Sequence, residues 1–193
     1  MKPDDVLRSI EEQALAKRLP IIGPDRGLIL DEVVNEHRPR TILEVGTLVG
    51  YSAVRMGRLL QKGGAITCVE LNEEMASAAR ANVEKAGLSG TIEVVTGDAR
   101  EVLPKLTKSF DMVFLDAVKE DYLVYLNSVR RLLHPGSVVV ADNVKSHAVE
   151  VAGYLDHVRN SGKFASSYHK SSSGYRYGAG VPEPDAVEVS VML

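Results

Sequence analysis

From residue 41 onward, short apolar runs alternate with segments of helix length, and this alternation constrains the fold more than any other feature of the chain. The β-rich runs predict strands at 41–45, 65–70, 91–96, 111–116 and 137–141. The stretches between and after them predict helices at 50–61, 72–86, 99–107, 119–133 and 146–161. Two further strands are expected near 163–169 and 186–192. Strand–helix repetition of this kind implies parallel pairing with helices on both faces of the sheet. The expected fold is α/β: a Rossmann-like, doubly wound, seven-stranded and mostly parallel sheet in one domain over residues 1–193. Charged residues mixed with Val6, Leu7, Ile10 and Leu15 at helical spacing predict a helix over 4–18. Pro20 to Pro24 breaks it, and helical spacing resumes over 27–36, giving an N-terminal cap of about 1–38. Residues 170–185, rich in Ser, Gly and Pro, read as a loop.

In an open parallel sheet, ligands bind beyond the carboxyl ends of the strands. Several of the expected strand ends carry chemistry. Asp116 follows Met112-Val113-Phe114-Leu115, and Asp142-Asn143 follow Ser137-Val138-Val139-Val140-Ala141. Two carboxylates and an amide oxygen at neighbouring tips are hard donors, suited to Mg²⁺ or Ca²⁺ rather than zinc. Lys119 lies three residues after Asp116, at helical spacing, within reach of the same point. Separately, the first strand runs into Glu44-Val45-Gly46-Thr47-Leu48-Val49-Gly50-Tyr51-Ser52. A glycine turn between strand and helix lets a ligand approach the backbone. The dinucleotide fingerprint G-x-G-x-x-G is absent, because Leu48 holds its middle position. Glu70, at the second strand tip, is placed to accept hydrogen bonds from ribose hydroxyls. Gly97-Asp98-Ala99, at the third, offers a carboxylate to an adenine amino group.

Bulk properties narrow the function class. A net charge of −3, with 25% charged residues, lacks the basic excess of a nucleic-acid binder. No run approaches the roughly 20 apolar residues of a membrane span, and Met1 to Asp5 contain no signal core. The single cysteine, Cys68, lies in an apolar run and fits a reducing compartment. A cytoplasmic protein is expected, a monomer or homodimer with no nucleic-acid or membrane partner. The histidines at 37, 134, 147, 157 and 169 lack metal-ligand spacing.

Taken together, Glu44 to Leu60 (EVGTLVGYSAVRMGRLL), Asp111 to Asp116, Lys119 and Ala141-Asp142-Asn143-Val144 resemble the class I S-adenosylmethionine-dependent methyltransferases, and animal catechol O-methyltransferases in particular. The resemblance spans roughly residues 20 to 169. It implies that Ile22 lines the cofactor pocket and that Glu44, Gly46 and Ser52 hold the methionine portion. It implies Glu70 on the ribose, Leu71 beside the adenine, and Asp98 and Ala99 at the adenine edge, with Asp116 also bordering the cofactor. Asp116, Asp142 and Asn143 are implied Mg²⁺ ligands, with Asn143 and Lys119 facing the substrate and Lys119 as general base. The implied reaction is Mg²⁺-dependent methyl transfer to a hydroxyl of a catechol or related small phenol. Two departures stand out. Ala117-Val118 replace a His-Trp pair of the animal enzymes, and Gly174 takes the place of a glutamate that orients the second hydroxyl. The competing readings are an NAD(P)-dependent oxidoreductase of similar fold and an S-adenosylmethionine-binding protein without turnover.

Overall fold

The computed structural model describes residues 1–171 and 184–193. Two cap helices come first, α1 (Pro3–Lys17) and α2 (Gly23–His37). Then follow β1 (Thr41–Val45), α3 (Tyr51–Gly57), β2 (Ala65–Glu70), α4 (Glu73–Lys85), β3 (Ile92–Thr96) and α5 (Ala99–Val102). The chain continues through β4 (Met112–Leu115), α6 (Tyr122–Val129), β5 (Val138–Ala141), α7 (Ala152–Asn160), β6 (Phe164–Lys170) and β7 (Ala186–Met192). The seven strands form one sheet in the order β3-β2-β1-β4-β5-β7-β6. Strands β1 to β5 pair in parallel, and β7 runs antiparallel between β5 and β6. The expected mostly parallel, doubly wound sheet is therefore the observed one.

The strands alternate their side chains between two apolar cores, as the period of two requires. Ile42, Ile66, Met112, Phe114, Val138 and Val140 face α1, α2 and α3. Leu43, Val45, Val113, Leu115, Val139 and Ala141 face α6 and α7. Strands buried on both faces read as continuous apolar runs, which is why they are legible in the sequence.

Helix ends differ from the expected ones for identifiable reasons. α2 begins at Gly23 and not at 27, because Pro24 occupies its first turn, where a missing N–H costs nothing. The expected 99–107 helix stops at Val102 and tightens into a 3-10 turn at Leu103–Lys105, because Pro104 cannot donate an intrahelical bond. The expected 119–133 helix is regular only over Tyr122–Val129, with 3-10 turns at Lys119–Asp121 and Arg130–Leu132. The expected 50–61 helix ends at Gly57, ahead of the turns around Gly63-Gly64. The expected 146–161 helix starts only at Ala152. Its upstream residues are diverted, since the N–H groups of Lys145 and Ser146 donate to Asp185 Oδ1 at 3.2 and 3.0 Å. Gly174 and most of the expected 170–185 loop lie outside the described residues. No helix among the described residues is long and apolar enough to cross a membrane.

Candidate active site

A cavity of about 880 Å³ opens along the carboxyl ends of β1, β2, β4 and β5. Of the residues singled out in the sequence, Ile22, Gly46, Ser52, Glu70, Leu71, Asp98, Ala99, Asp116, Lys119 and Asn143 line it. Glu44 and Asp142 lie behind its wall, both fully buried.

One end of the cavity is built around the β1–α3 turn. Gly46 has φ 86°, and a Cβ there would lie 2.4 Å from the carbonyl oxygen of Asp116. Only glycine lets the turn approach β4 this closely. Leu48 also adopts a left-handed φ of 48° in this turn. Glu70 Oε2 accepts from the N–H groups of Leu48 and Thr47 at 2.8 and 3.2 Å, and Oε1 accepts from Asn72 N–H at 3.0 Å. The carboxylate thus fixes the turn as well as facing the cavity. Beneath it, Glu44 Oε2 accepts from Thr47 Oγ1 at 2.5 Å, while Oε1 is buried without a hydrogen-bond partner among the described residues. Burial pushes the Glu44 carboxyl up to about 7, against the pull of the polar side chains of Ser52, Thr47 and Cys68 around it. Asp98 caps α5 by accepting from Arg100 N–H at 2.8 Å, and it pairs with the Arg100 guanidinium at 2.6 Å. Leu71 stands at the rim, 67% exposed.

The other end holds the acidic strand tips. Leu115 and Ala141 are paired in register, so Asp116 and Asp142 leave adjacent strands side by side. Lys119 Nζ donates to Asp116 Oδ1 at 2.7 Å and to Tyr122 Oη at 2.8 Å. The expected helical spacing from Asp116 to Lys119 is not what joins them. Val118 is extended, and Lys119 opens a 3-10 turn that folds back over the strand end. Asn143 takes φ 61° and donates its side-chain amide Nδ2 to Asp185 Oδ2 at 2.9 Å, which leaves its side-chain oxygen Oδ1 as the candidate donor to a cation. Asp142 lies 2.7 Å from Arg26 Nε through Oδ1. That contact is an ion pair without hydrogen-bond geometry, so both carboxylate oxygens are buried with no hydrogen-bond partner among the described residues. Burial, with the charge of Asp116, pushes Asp142 up to about 7, against the pull of Arg26 and Lys119. Asp185 is held down to about 2, against its burial, by hydrogen bonds from Asn143 and Ser146.

Among the described residues, no three His, Cys, Asp or Glu side chains cluster to hold a metal. The candidate donors are two carboxylates and an amide, all oxygen. One of those carboxylates, Asp142, is buried with its oxygens lacking a hydrogen-bond partner among the described residues, which suits a hard divalent cation, so the residues present fit Mg²⁺.

The sequence pattern of the O-methyltransferase family matches residues 4–160. The chain belongs to that family. Among its relatives is catechol O-methyltransferase B of Danio rerio, 37% identical over 179 residues and matching 89% of this chain. The match covers 65% of that relative's length, just under two thirds. An O-methyltransferase from Bacillus cereus, solved in complex with SAH, superposes with a TM-score of 0.84 at 26% identity, covering 98% of this chain and 91% of the other. TomG of Streptomyces achromogenes, an O-methyltransferase solved with SAM, gives 0.84 at 26% identity, covering 97% and 89%. Membership in an O-methyltransferase family leaves the oxidoreductase reading without support.

Arg26, Arg100, Tyr122 and Asp185 each touch an expected site residue, yet no sequence motif marks them. Arg26 and Asp185 are drawn in by tertiary packing that no local pattern reports. Tyr122 was within reach, because it follows Lys119 at the same three-residue interval that linked Lys119 to Asp116.

Proposed function

We propose that this O-methyltransferase family member moves a methyl group from S-adenosylmethionine to a hydroxyl of a catechol or related phenol, with Mg²⁺ at the acidic strand tips. One observation carries the reading. Asp116, Asn143 and Lys119 meet at one end of a cavity whose other end presents Glu70 and Asp98. The catechol enzyme of Danio rerio supports the acceptor class, and the SAM and SAH complexes of the two structural relatives support the donor.

In this reading Glu70 accepts the ribose hydroxyls while its bonds to Thr47 and Leu48 keep the turn in place. Glu44, Gly46 and Ser52 would hold the methionine portion, with the Glu44 carboxylate supplying negative charge toward its ammonium. Asp116, Asp142 and Asn143 would hold Mg²⁺, whose positive charge would favour the ionised form of the acceptor hydroxyl. Lys119, anchored by Tyr122, accepts the hydroxyl proton. The oxygen then bonds to the methyl carbon as the carbon–sulfur bond breaks, leaving S-adenosylhomocysteine. Fixing donor and acceptor in one cavity removes entropic cost, up to roughly 7–11 kcal/mol in well-oriented systems. Val118, 50% exposed, forms a smaller and more open wall than an indole would. That favours acceptors broader than a bare catechol ring.

The test is S-adenosylhomocysteine release across catechols, caffeoyl esters and simple phenols, with Mg²⁺ or with excess EDTA. Methylation of catechols that stops in EDTA and returns with Mg²⁺ is expected. Full turnover in EDTA would reject the metal role. Cofactor binding with no product from any acceptor would favour a binding protein without turnover.

A further inference from the structure

Arg26 belongs to the first turns of α2, far from the acidic strand tips along the chain, yet its guanidinium reaches them. Nε lies 2.7 Å from Asp142 Oδ1, and Nη1 lies 3.9 Å from Asp185 Oδ2. Arg26, Asp142 and Asp185 are only 8%, 0% and 6% exposed. A carboxylate buried this deeply is costly when ionised unless a cation faces it. Asp185 is served by other donors. It accepts from Asn143 Nδ2, from Ser146 Oγ at 2.6 Å, and from the N–H groups of Lys145, Ser146 and Ala186. Asp142 has no such set: neither side-chain oxygen has a hydrogen-bond partner among the described residues, and the Arg26 ion pair is its close cationic contact. The arginine's charge is therefore needed chiefly at Asp142.

We propose that Arg26 is a built-in counter-cation that keeps the acidic strand-tip site assembled without a divalent ion, and that it thereby weakens the site's hold on that ion. The proposal rests on the Mg²⁺ reading given above. The physical basis is competition. A guanidinium and a divalent ion that share one carboxylate repel each other across a few ångströms of protein. With Arg26 in place, Asp142 is already compensated, so metal binding gains less. Without it, only the metal and Lys119 relieve the buried charge.

The experiment compares the full-length wild type with Arg26→Gln, which keeps a polar side chain without charge, and Arg26→Lys, which keeps the charge. Mg²⁺ is titrated calorimetrically into protein saturated with S-adenosylhomocysteine, and thermal melts are recorded with and without Mg²⁺. Arg26→Gln should melt lower than wild type without metal, recover on Mg²⁺ addition, and bind Mg²⁺ at least about tenfold more tightly. Arg26→Lys should stay within about twofold of wild type. Equal or weaker Mg²⁺ binding by Arg26→Gln would overturn the proposal and make the arginine an orienting clamp. If Arg26→Gln does not fold, the double variant Arg26→Gln/Asp142→Asn decides the matter. Removing both charges should restore the metal-free fold, and failure to restore it overturns the counter-charge argument. No Mg²⁺ binding by the wild type or any variant would overturn the metal site itself.

Discussion

The phenol of Tyr122 holds the amine of Lys119 at 2.8 Å while donating its own hydrogen bond to the main-chain carbonyl of Asp142 at 3.1 Å. Tyr122 is fully buried and packs edge-on against Tyr154, with ring centroids 5.8 Å apart. A flexible lysine is thus tied to a rigid ring, and through it to the tip of β5. Its second bond, to Asp116, ties it to the tip of β4.

Lys119→Ala should lower kcat by about 10²- to 10⁴-fold at neutral pH, the usual range for a positioned acid–base group. Cofactor affinity should barely move, and higher pH should partly rescue the variant by ionising the acceptor in solution. Tyr122→Phe should give a smaller kcat loss, because the amine remains but is held only by Asp116. Steady-state kinetics over a pH series separates these outcomes. A Lys119→Ala enzyme with intact kcat and lost cofactor binding would make the lysine structural.

Glu70→Ala should weaken S-adenosylmethionine binding by about 1.5–3 kcal/mol, the cost of losing a charged acceptor. Because Glu70 also accepts the N–H groups of Thr47 and Leu48, the variant should loosen the β1–α3 turn. Glu70→Gln should restore part of the turn but less of the affinity. Calorimetric titration measures the first effect, and hydrogen exchange at Thr47 and Leu48 the second. Unchanged affinity in both variants would remove Glu70 from the cofactor site.

Gly46→Ala should destabilise the protein by several kcal/mol, since a Cβ would meet a backbone oxygen at 2.4 Å and φ is 86°. The same φ argument applies at Gly50, where the nearest atoms are 3.2 Å away and belong to Ala79. Gly50→Ala should therefore cost less. Denaturant melts of the two variants rank them, and a reversed order would show that the close approach to Asp116 is not the controlling contact.

Glu44 sets a pH dependence whose sign follows from its raised carboxyl, about 7 in the folded chain against an ordinary 4.5. Between those values the folded state keeps a proton that the unfolded state has lost. Stability therefore falls as pH rises through this window, by roughly 3 kcal/mol at most from this group. Asp142, also raised to about 7, adds a slope of the same sign. Melting temperatures of cofactor-free protein should fall between about pH 5 and 8, and Glu44→Gln should flatten that fall without abolishing it. An identical slope in wild type and variant would refute the assignment.

The parts of this molecule legible in the sequence are those fixed by local periodicity and by topology. Val138 to Ala141 read as a strand because both faces are buried, and Asp142 then had to lie at a strand tip. Pairing of β4 with β5 brings Asp116 beside it, a juxtaposition that follows from the winding of the fold. Helix ends were less legible. The boundary at Ala152 depends on Asp185, which takes up the N–H groups of Lys145 and Ser146. Arg26 was illegible for the same reason, since its partner lies across the packed face between α2 and the sheet. Periodicity reports which face of a helix is apolar, but not which carboxylate waits under its first turn.

The antiparallel course of β7 has a consequence for synthesis. Because β7 runs opposite to its neighbour β5, it begins where β5 ends, and this delivers Asp185 to the acidic tips. Residues 1–170, which hold Asp116, Lys119, Asp142 and Asn143, leave the ribosome before Asp185 does. A chain at that stage lacks the carboxylate that holds the Asn143 amide and takes up the N–H groups of Lys145 and Ser146. The strand tips gain their full set of partners only when the final strand of the sheet slides in between β5 and β6.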